Sequence, residues 1–151
     1  MASTAKSSAW RCLLVGSSTE SQFVMFLPQP LSLSTVLVVE DDEILRMCTA
    51  NVVADAGFTP VEAANADEAF AILENRSDIA LLFTDIQMPG SMDGLDLARI
   101  VHERWPAIKI ILVSGRVELS ERKRPVNSRF FQKPFAMKQM IEGLQEMISS
   151  R

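Results

Sequence analysis

The stretch LLFTDIQMPG, residues 81–90, joins an apolar run to an aspartate, Asp85, and then to a Met-Pro-Gly turn. An apolar run of this length is typical of a strand that is buried on both faces of a parallel sheet. A carboxylate at the end of such a strand is costly unless it is paired with a positive charge or bound to a cation. The sequence therefore predicts a partner for Asp85.

Four further apolar runs, separated by helical patterns, predict the rest of the fold. Short strands that alternate with helices are typical of a parallel sheet covered by helices on both faces. The five predicted strands are Val36–Val39, Thr59–Ala63, Ala80–Thr84, Ile108–Val113 and Arg129–Gln132. The predicted helices are Ile44–Ala56, a helix opened by an Asn65 cap, Asp93–Arg104 and Met137–Ile148. The pattern predicts an α/β fold.

Two helical segments carry more detailed predictions. In the first helix, the spacing places Leu45, Cys48 and Val52 on one helical face. The alternation also requires a helix between the fourth and fifth strands, within 116–128. There Arg122-Lys123-Arg124-Pro125 provides little apolar surface and a helix breaker, so we expect this fourth helix to be short or distorted.

Length, charge and cysteine content limit the classes of function. A chain of 151 residues with 48% hydrophobic residues and a net charge of −4 is typical of one soluble globular domain, and not of a basic nucleic-acid-binding protein. Cys12, Cys48 and the single histidine, His102, lack the spacing of a zinc site. The apolar piece 10–15 is too short to span a membrane. We therefore expect a cytoplasmic protein without nucleic-acid or membrane partners.

The first 34 residues differ in composition from the rest. They are rich in Ser, Thr and Gln, include Pro28 and Pro30, and show no sustained period of 2 or 3.6. We interpret residues 1–34 as a flexible N-terminal extension and residues 35–151 as the folded domain.

Polar residues follow four of the five predicted strands. Glu40-Asp41-Asp42 follow the first strand, Asp85 ends the third, Ser114-Gly115 follow the fourth, and Lys133-Pro134 follow the fifth. In an open parallel sheet these strand ends lie at one edge, where ligands bind. Clustered carboxylates repel one another unless a proton or a divalent cation is present, and oxygen ligands favour Mg²⁺. The sequence thus predicts a magnesium site suited to phosphate chemistry, with Lys133 opposite the metal.

Five motifs along the chain, VLVVEDD, LLFTDIQMPG, MDG, ILVSG and FFQKPF, occur in an order that resembles the bacterial response-regulator receiver domains of two-component signalling (CheY-like receivers). The resemblance covers Thr35 to about Ser149. It implies a flavodoxin-like, doubly wound, five-stranded parallel sheet with strand order 2-1-3-4-5. Since only three residues follow the last predicted helix, the resemblance is to a stand-alone receiver.

The same resemblance implies a role for each motif residue. Asp85 corresponds to the phosphoacceptor that attacks a phosphohistidine. Asp41 corresponds to a direct Mg²⁺ ligand, Glu40 to a ligand acting largely through water, and the main-chain carbonyl of Gln87 to a further ligand. Ser114 and Lys133 correspond to residues that contact the phosphoryl group.

Four other positions correspond to residues that adjust the chemistry or transmit its result. Gly115 leaves room for a donor imidazole, while Gln87 and Arg116 flank the path of an attacking water. Phe130 corresponds to the switch aromatic that moves together with Ser114. The implied partners are a sensor histidine kinase or a histidine phosphotransfer protein, and a downstream protein that the sequence does not identify.

Two other classes of function compete with this interpretation. One is a phosphorylation-independent protein-interaction module, which usually lacks the acid pair, the acceptor or the lysine. The other is a metal-dependent phosphohydrolase that uses an aspartyl phosphate, although Glu40-Asp41-Asp42-Glu43 lacks the DxDx[TV] spacing of haloacid-dehalogenase-like enzymes. The expected protein is therefore a regulatory phosphoacceptor that catalyses only its own phosphorylation and dephosphorylation.

Overall fold

The computed structural model describes residues 33–116 and 124–149, which contain five strands and four helices. The strands are β1 (Thr35–Val39), β2 (Thr59–Ala63), β3 (Ile79–Asp85), β4 (Lys109–Ser114) and β5 (Ser128–Gln132). The helices are α1 (Glu43–Asp55), α2 (Ala66–Asn75), α3 (Gly94–Arg104) and α4 (Met137–Ser149). The five predicted strands and the three helices predicted with both bounds agree with these ranges to within one residue at each end, and α2 begins directly after its predicted Asn65 cap.

The five strands form one parallel sheet in the order β2-β1-β3-β4-β5. The predicted doubly wound fold and its strand order are thus confirmed. Because every strand runs in the same direction, the ends of β1, β3, β4 and β5 meet at one edge, which we call the carboxyl edge. The polar residues that follow these strands are thereby brought together.

Successive strand residues enter two separate cores. Leu37, Leu82 and Leu112 pack with α2 and α3 on one face of the sheet. Their neighbours along the strands, such as Val38 and Phe83, pack with α1 and α4 on the other face. The central strands are buried on both sides, which explains why their sequences are apolar without alternation.

Side-chain caps fix the helix starts that border the carboxyl edge. Asp42 Oδ1 accepts a hydrogen bond from Leu45 N (3.0 Å), and Asn65 Oδ1 accepts one from Glu68 N (2.8 Å). Asp93 and Asp96 form a reciprocal capping box at the start of α3. Each cap sets where its helix leaves the loop that follows a strand.

The three residues that the spacing places on one face of α1 differ in burial. Leu45 is 47% exposed and Cys48 is also exposed, while Val52 is buried together with Ala50 and Val53. The side of α1 that faces the sheet carries Val52 and Val53, which pack in the α1/α4 core, and Arg46, whose guanidinium bonds to Glu40 and Glu62. Leu45 and Cys48 are left on the outside.

Two predictions fall wholly or partly on residues that the structure does not describe. The extension of residues 1–34 lies outside the described residues except for Leu33 and Ser34. Residues 117–123 of the predicted fourth helix also lie outside them, and residues 124–127 form a bend and a turn. The domain boundary and the fourth helix therefore stay predictions. None of the described helices is long and apolar enough to cross a membrane.

Candidate functional site

Asp85 lies at the centre of the carboxyl edge, at the end of β3. It is only 6% exposed, and its Oδ2 accepts a hydrogen bond from Lys133 Nζ at 2.8 Å. Its Oδ1 accepts a second hydrogen bond, from the main-chain N of Gln87 at 3.2 Å. The buried carboxylate thus has the positive partner that the sequence demands, and it comes from the loop after β5.

Lys133 is shared between two carboxylates. Its Nζ lies 2.8 Å from Asp85 Oδ2 and 3.8 Å from Glu40 Oε1. Burial alone would lower the pKa of Lys133, but the hydrogen bond to Asp85 and the charges of Asp85, Glu40 and Asp41 outweigh burial and raise that pKa above its usual value. Lys133 is therefore a permanent cation beside Asp85.

Glu40 is a buried acid directly after β1. The pKa of its carboxyl group is raised to about 7, mainly by desolvation and also by the charge of Asp85 and a hydrogen bond with Asp41, against the lowering effects of the Asp42 main-chain N–H and of Lys133. The Asp42 N–H donates to Glu40 Oε2 at 3.1 Å. Near neutral pH, one lysine does not fully compensate this group of acids.

Glu40, Asp41 and Asp85 form an acidic triad. Each offers a carboxylate oxygen, and these oxygens lie within 4.8 Å of one another. Three carboxylate oxygens at such spacing suit a hard cation that prefers oxygen ligands, and Mg²⁺ typically takes one or two carboxylates plus water and phosphate oxygens. The donor set and the raised pKa of Glu40 both fit the predicted magnesium site.

Ser114 ends β4 beside the loop that follows Asp85. It is fully buried, donates to Gln87 Oε1 at 3.3 Å and accepts from Arg116 N at 3.0 Å. Gln87 and Arg116 are themselves exposed. The structure therefore places Ser114 beside Gln87 and Arg116. The Ser114 hydroxyl is hydrogen-bonded to the exposed side chain of Gln87, which has room to move.

Gly115 is exposed next to Ser114, and Phe130 on β5 is half-buried. Apart from its two chain neighbours, none of the described residues has a heavy atom within 4 Å of a Cβ built on Gly115, so the space directly around this position is open to them. Phe130 is half-buried and packs on the α2/α3 face, whereas Phe131 packs on the α1/α4 face. The switch and tuning roles of these positions stay predictions.

Two residues at the site were given no role in the sequence analysis, although Gly94 lies in the MDG motif. Gly94, the first residue of α3, is packed so closely that a Cβ would lie 2.0 Å from the main-chain oxygen of Asp85. Arg46 of α1 donates to the main-chain oxygen of Glu40 at 2.9 Å. A glycine directly after a helix cap was a usable signal for Gly94, but no local pattern indicates that Arg46 reaches back to β1.

A doubly wound five-stranded sheet with an acidic triad, a lysine and a buried hydroxyl at its carboxyl edge defines the class of CheY-like receiver domains. A family model described as the response regulator receiver domain matches residues 36–145, and the chain belongs to this family.

The relatives that this chain resembles include a sensor kinase and response regulator receiver proteins. It is 35% identical over 122 residues to the sensor kinase CckA of Brucella abortus, covering 78% of this chain but only 13% of that protein. It is 28% identical to the response regulator receiver protein CpdR of Brucella abortus, covering 75% of this chain and 95% of CpdR. The crystal structure of a response regulator receiver protein from Sinorhizobium medicae matches with a TM-score of 0.74 at 26% identity, covering 80% of this chain and 98% of that one.

Proposed function

We propose that the protein is a phosphoacceptor switch that takes a phosphoryl group onto Asp85. The observation that carries this proposal is the contact of 2.8 Å between Lys133 Nζ and Asp85 Oδ2 beside the acidic triad. A buried carboxylate without a partner would be costly, whereas Asp85 lies between Lys133 and a candidate cation site. The lysine and a bound cation can neutralise the negative charge of a phosphoryl group as well as that of the carboxylate. The protein is regulatory, and the only bond it makes and breaks is on itself.

The reaction that fits this geometry is an in-line displacement. An oxygen of Asp85 forms a bond to phosphorus while the bond between phosphorus and the donor's imidazole nitrogen breaks. The nitrogen leaves with the electron pair and takes up a proton from solvent. Lys133 then moves from the carboxylate to a phosphoryl oxygen, and Ser114 exchanges Gln87 for another phosphoryl oxygen as hydrogen-bond partner.

Magnesium belongs to this proposal as the group that neutralises charge. Asp41, Asp85 and the main-chain carbonyl of Gln87 would hold it directly, and Glu40 would hold it through water. Bound there, it supplies the positive charge that lets an anionic phosphoryl group approach an anionic pocket, since phosphoryl transfer depends mainly on positioning and charge neutralisation.

The donor is proposed to be a phosphohistidine of a sensor kinase or a histidine phosphotransfer protein, and the first half of α1 offers a surface for it. Ile44 is 68% exposed, Leu45 47% and Met47 51%, and they lie within a few residues of Asp41. Large apolar side chains that cluster in water next to a reactive group favour a protein partner. We call Ile44, Leu45, Met47 and Cys48 the α1 patch.

The phosphoacceptor proposal is tested with the intact mass of the full chain after incubation with acetyl phosphate, a small donor that needs no docking surface. We expect a gain of one phosphoryl group that requires Mg²⁺ and is absent from Asp85→Asn. Lys133→Met should lose most of the modification because its cation is gone, while Lys109→Met, at the other end of the sheet, should retain it. Modification of Asp85→Asn to the wild-type extent would refute the proposal.

The α1 patch is tested by comparing the two kinds of donor. Ile44→Ser with Met47→Ser should slow transfer from a phosphorylated histidine phosphotransfer protein about tenfold or more, since apolar contacts at the centre of an interface carry most of its energy. The rate with acetyl phosphate should be unchanged. Equal slowing with both donors would mean that the substitutions damage the site itself and not a docking surface.

A further inference from the structure

Arg46 links α1 to the strand that carries the acidic triad. Its NH1 donates to the main-chain oxygen of Glu40 at 2.9 Å, and its Nε donates to Glu62 Oε1 at 3.2 Å. The side chain is only 17% exposed. An arginine held by two partners at this depth has a defined position, because its planar fork fixes both hydrogen bonds at once.

The oxygen that Arg46 holds belongs to the peptide group between Glu40 and Asp41. The orientation of this peptide sets where the Asp41 side chain leaves the main chain. Its other neighbours are also fixed: Glu40 N donates to Ala63 O at 3.1 Å, and Glu40 Oε2 accepts from Asp42 N at 3.1 Å. Arg46 therefore restrains the turn from which two of the three triad carboxylates project.

The charge of Arg46 acts in the opposite direction. A guanidinium close to an acidic pocket repels a second cation, and a partly buried site screens that repulsion less than water does. Glu62 offsets part of this charge through the ion pair with Arg46. Coulombic interaction alone thus predicts tighter binding of Mg²⁺ when Arg46 is removed, whereas a positioning role predicts weaker binding.

We propose that Arg46 is a positioning residue for the magnesium site, holding the Glu40–Asp41 peptide so that both carboxylates face the cation. The proposal rests on the magnesium site of the proposed function. Groups that orient metal ligands without touching the metal typically contribute 10–100-fold to metal affinity. We expect the geometric effect of Arg46 to exceed its repulsion.

The test is a calorimetric titration of the full chain with Mg²⁺ alone, without phosphoryl donor. Arg46→Met keeps much of the apolar stem and removes both hydrogen bonds, so we expect Mg²⁺ to bind at least about tenfold more weakly. The matched control is Arg76→Met, which removes another ion-paired arginine, bonded to Asp78 at the opposite end of the sheet. This control should bind Mg²⁺ like the wild type.

Arg46→Lys separates geometry from charge and serves even if Arg46→Met does not fold. Lysine keeps the positive charge but cannot reproduce the fork that holds Glu40 and Glu62 together, so we expect binding at least about threefold weaker than wild type. Affinity equal to or tighter than wild type in Arg46→Met, or equal in Arg46→Lys, would overturn the positioning role.

The Mg²⁺ titration distinguishes a protein without a magnesium site from one in which Arg46 does not position that site. Wild-type protein that binds no Mg²⁺ would remove the site on which the inference rests. Wild-type protein that binds Mg²⁺ with the same affinity as the Arg46 variants would leave the site in place and refute only the role of Arg46.

Discussion

Gly94 shows how closely single residues are fitted around Asp85. A Cβ on Gly94 would lie 2.0 Å from the main-chain oxygen of Asp85 and 2.9 Å from Ile86 Cα. The Gly94 N–H donates to Ile86 O at 2.8 Å, so the start of α3 is drawn against the end of β3. Main-chain atoms of a central strand cannot move aside as a flexible side chain can.

We therefore expect Gly94→Ala to lower the free energy of unfolding by about 3 kcal/mol, the upper part of the range for overpacked sites. The matched control is Gly115→Ala at the same edge, where the added Cβ meets none of the described residues within 4 Å. That change should stay within about 0.5 kcal/mol of wild type. Urea unfolding measures both, and equal midpoints for the two variants would contradict the close packing.

For single residues, the sequence predicted which charged groups pair more successfully than it predicted close contacts with main-chain atoms. The need of Asp85 for a partner follows from the cost of a buried carboxylate, and Lys133 was identified because it follows another strand of the same sheet. Gly94 and Arg46 were given no role because their importance lies in close approaches to main-chain atoms of Asp85 and Glu40. The position of Gly94 directly after a helix cap was a usable signal, whereas no local pattern indicates the contact of Arg46.

At the scale of elements, α4 is seated on β5 by a glycine and an aromatic ring. A Cβ on Gly143 would lie 2.6 Å from Cζ of Phe131, and the Phe131 ring also contacts Phe135, with ring centroids 5.7 Å apart. Phe130 and Phe131 are consecutive strand residues and pack on opposite faces of the sheet, as strand alternation requires. The absence of a side chain at Gly143 thus leaves room for the Phe131 ring, which points toward α4.

Gly143→Ala should lower the free energy of unfolding by about 2 kcal/mol, because the ring must leave its position to make room. Phe131→Leu removes the atoms that clash, so the double variant should be more stable than the sum of the two single changes predicts, by about 1 kcal/mol. A double-mutant cycle in urea measures this coupling. Strict additivity would show that Gly143 and Phe131 do not compete for the same space.

The orientation of α1 could not be predicted from hydrophobic spacing. Its apolar residues lie on several sides of the helix, and Leu45, Cys48 and Val52 share one face although only Val52 is buried. The core contains Val52 and Val53, while Ile44, Leu45 and Met47 are exposed. A helix with apolar residues on several sides offers more than one possible core-facing side.

At the scale of the whole molecule, the fold was predictable because connectivity restricts it strongly. Short buried strands that alternate with helices allow few arrangements, and the motif order selected the one observed, β2-β1-β3-β4-β5. The same topology gathers like charges at one edge. Stability of the whole domain is therefore linked to the protonation of that edge.

Glu40 determines the sign of this linkage. Its pKa in the folded protein, about 7, lies above its ordinary value of 4.5, so the folded state holds the proton more tightly than the unfolded state. The contribution of Glu40 to stability is present in full below pH 4.5 and is lost as the pH rises to about 7. Its side chain is only 10% exposed, and at about 1.4 kcal/mol per pH unit the loss amounts to about 3 kcal/mol without metal.

Glu40→Gln isolates this effect, because the amide is neutral at every pH. We expect the metal-free variant to match wild type near pH 4.5 and to be more stable by about 3 kcal/mol at pH 8. Asp78→Asn serves as a control, because it changes a carboxyl group at the opposite edge of the sheet. This variant should still lose the stability contribution of Glu40 as the pH rises above 4.5. Thermal unfolding across this pH range, with a chelator present, gives the comparison. Parallel stability curves for wild type and Glu40→Gln would contradict a raised pKa at Glu40.

Locating the modified residue shows whether Asp85 receives the phosphoryl group. After reaction with acetyl phosphate and Mg²⁺, borohydride reduces an aspartyl phosphate to homoserine, which marks its position permanently. Trypsin releases residues 77–99 as one peptide that contains Asp85 and three other aspartates, and fragmentation of this peptide distinguishes them. We predict homoserine at position 85 alone, and none when Mg²⁺ is omitted. Homoserine at another aspartate, such as Asp41 or Asp93, or no homoserine in a chain that gains the phosphoryl mass, would contradict the account.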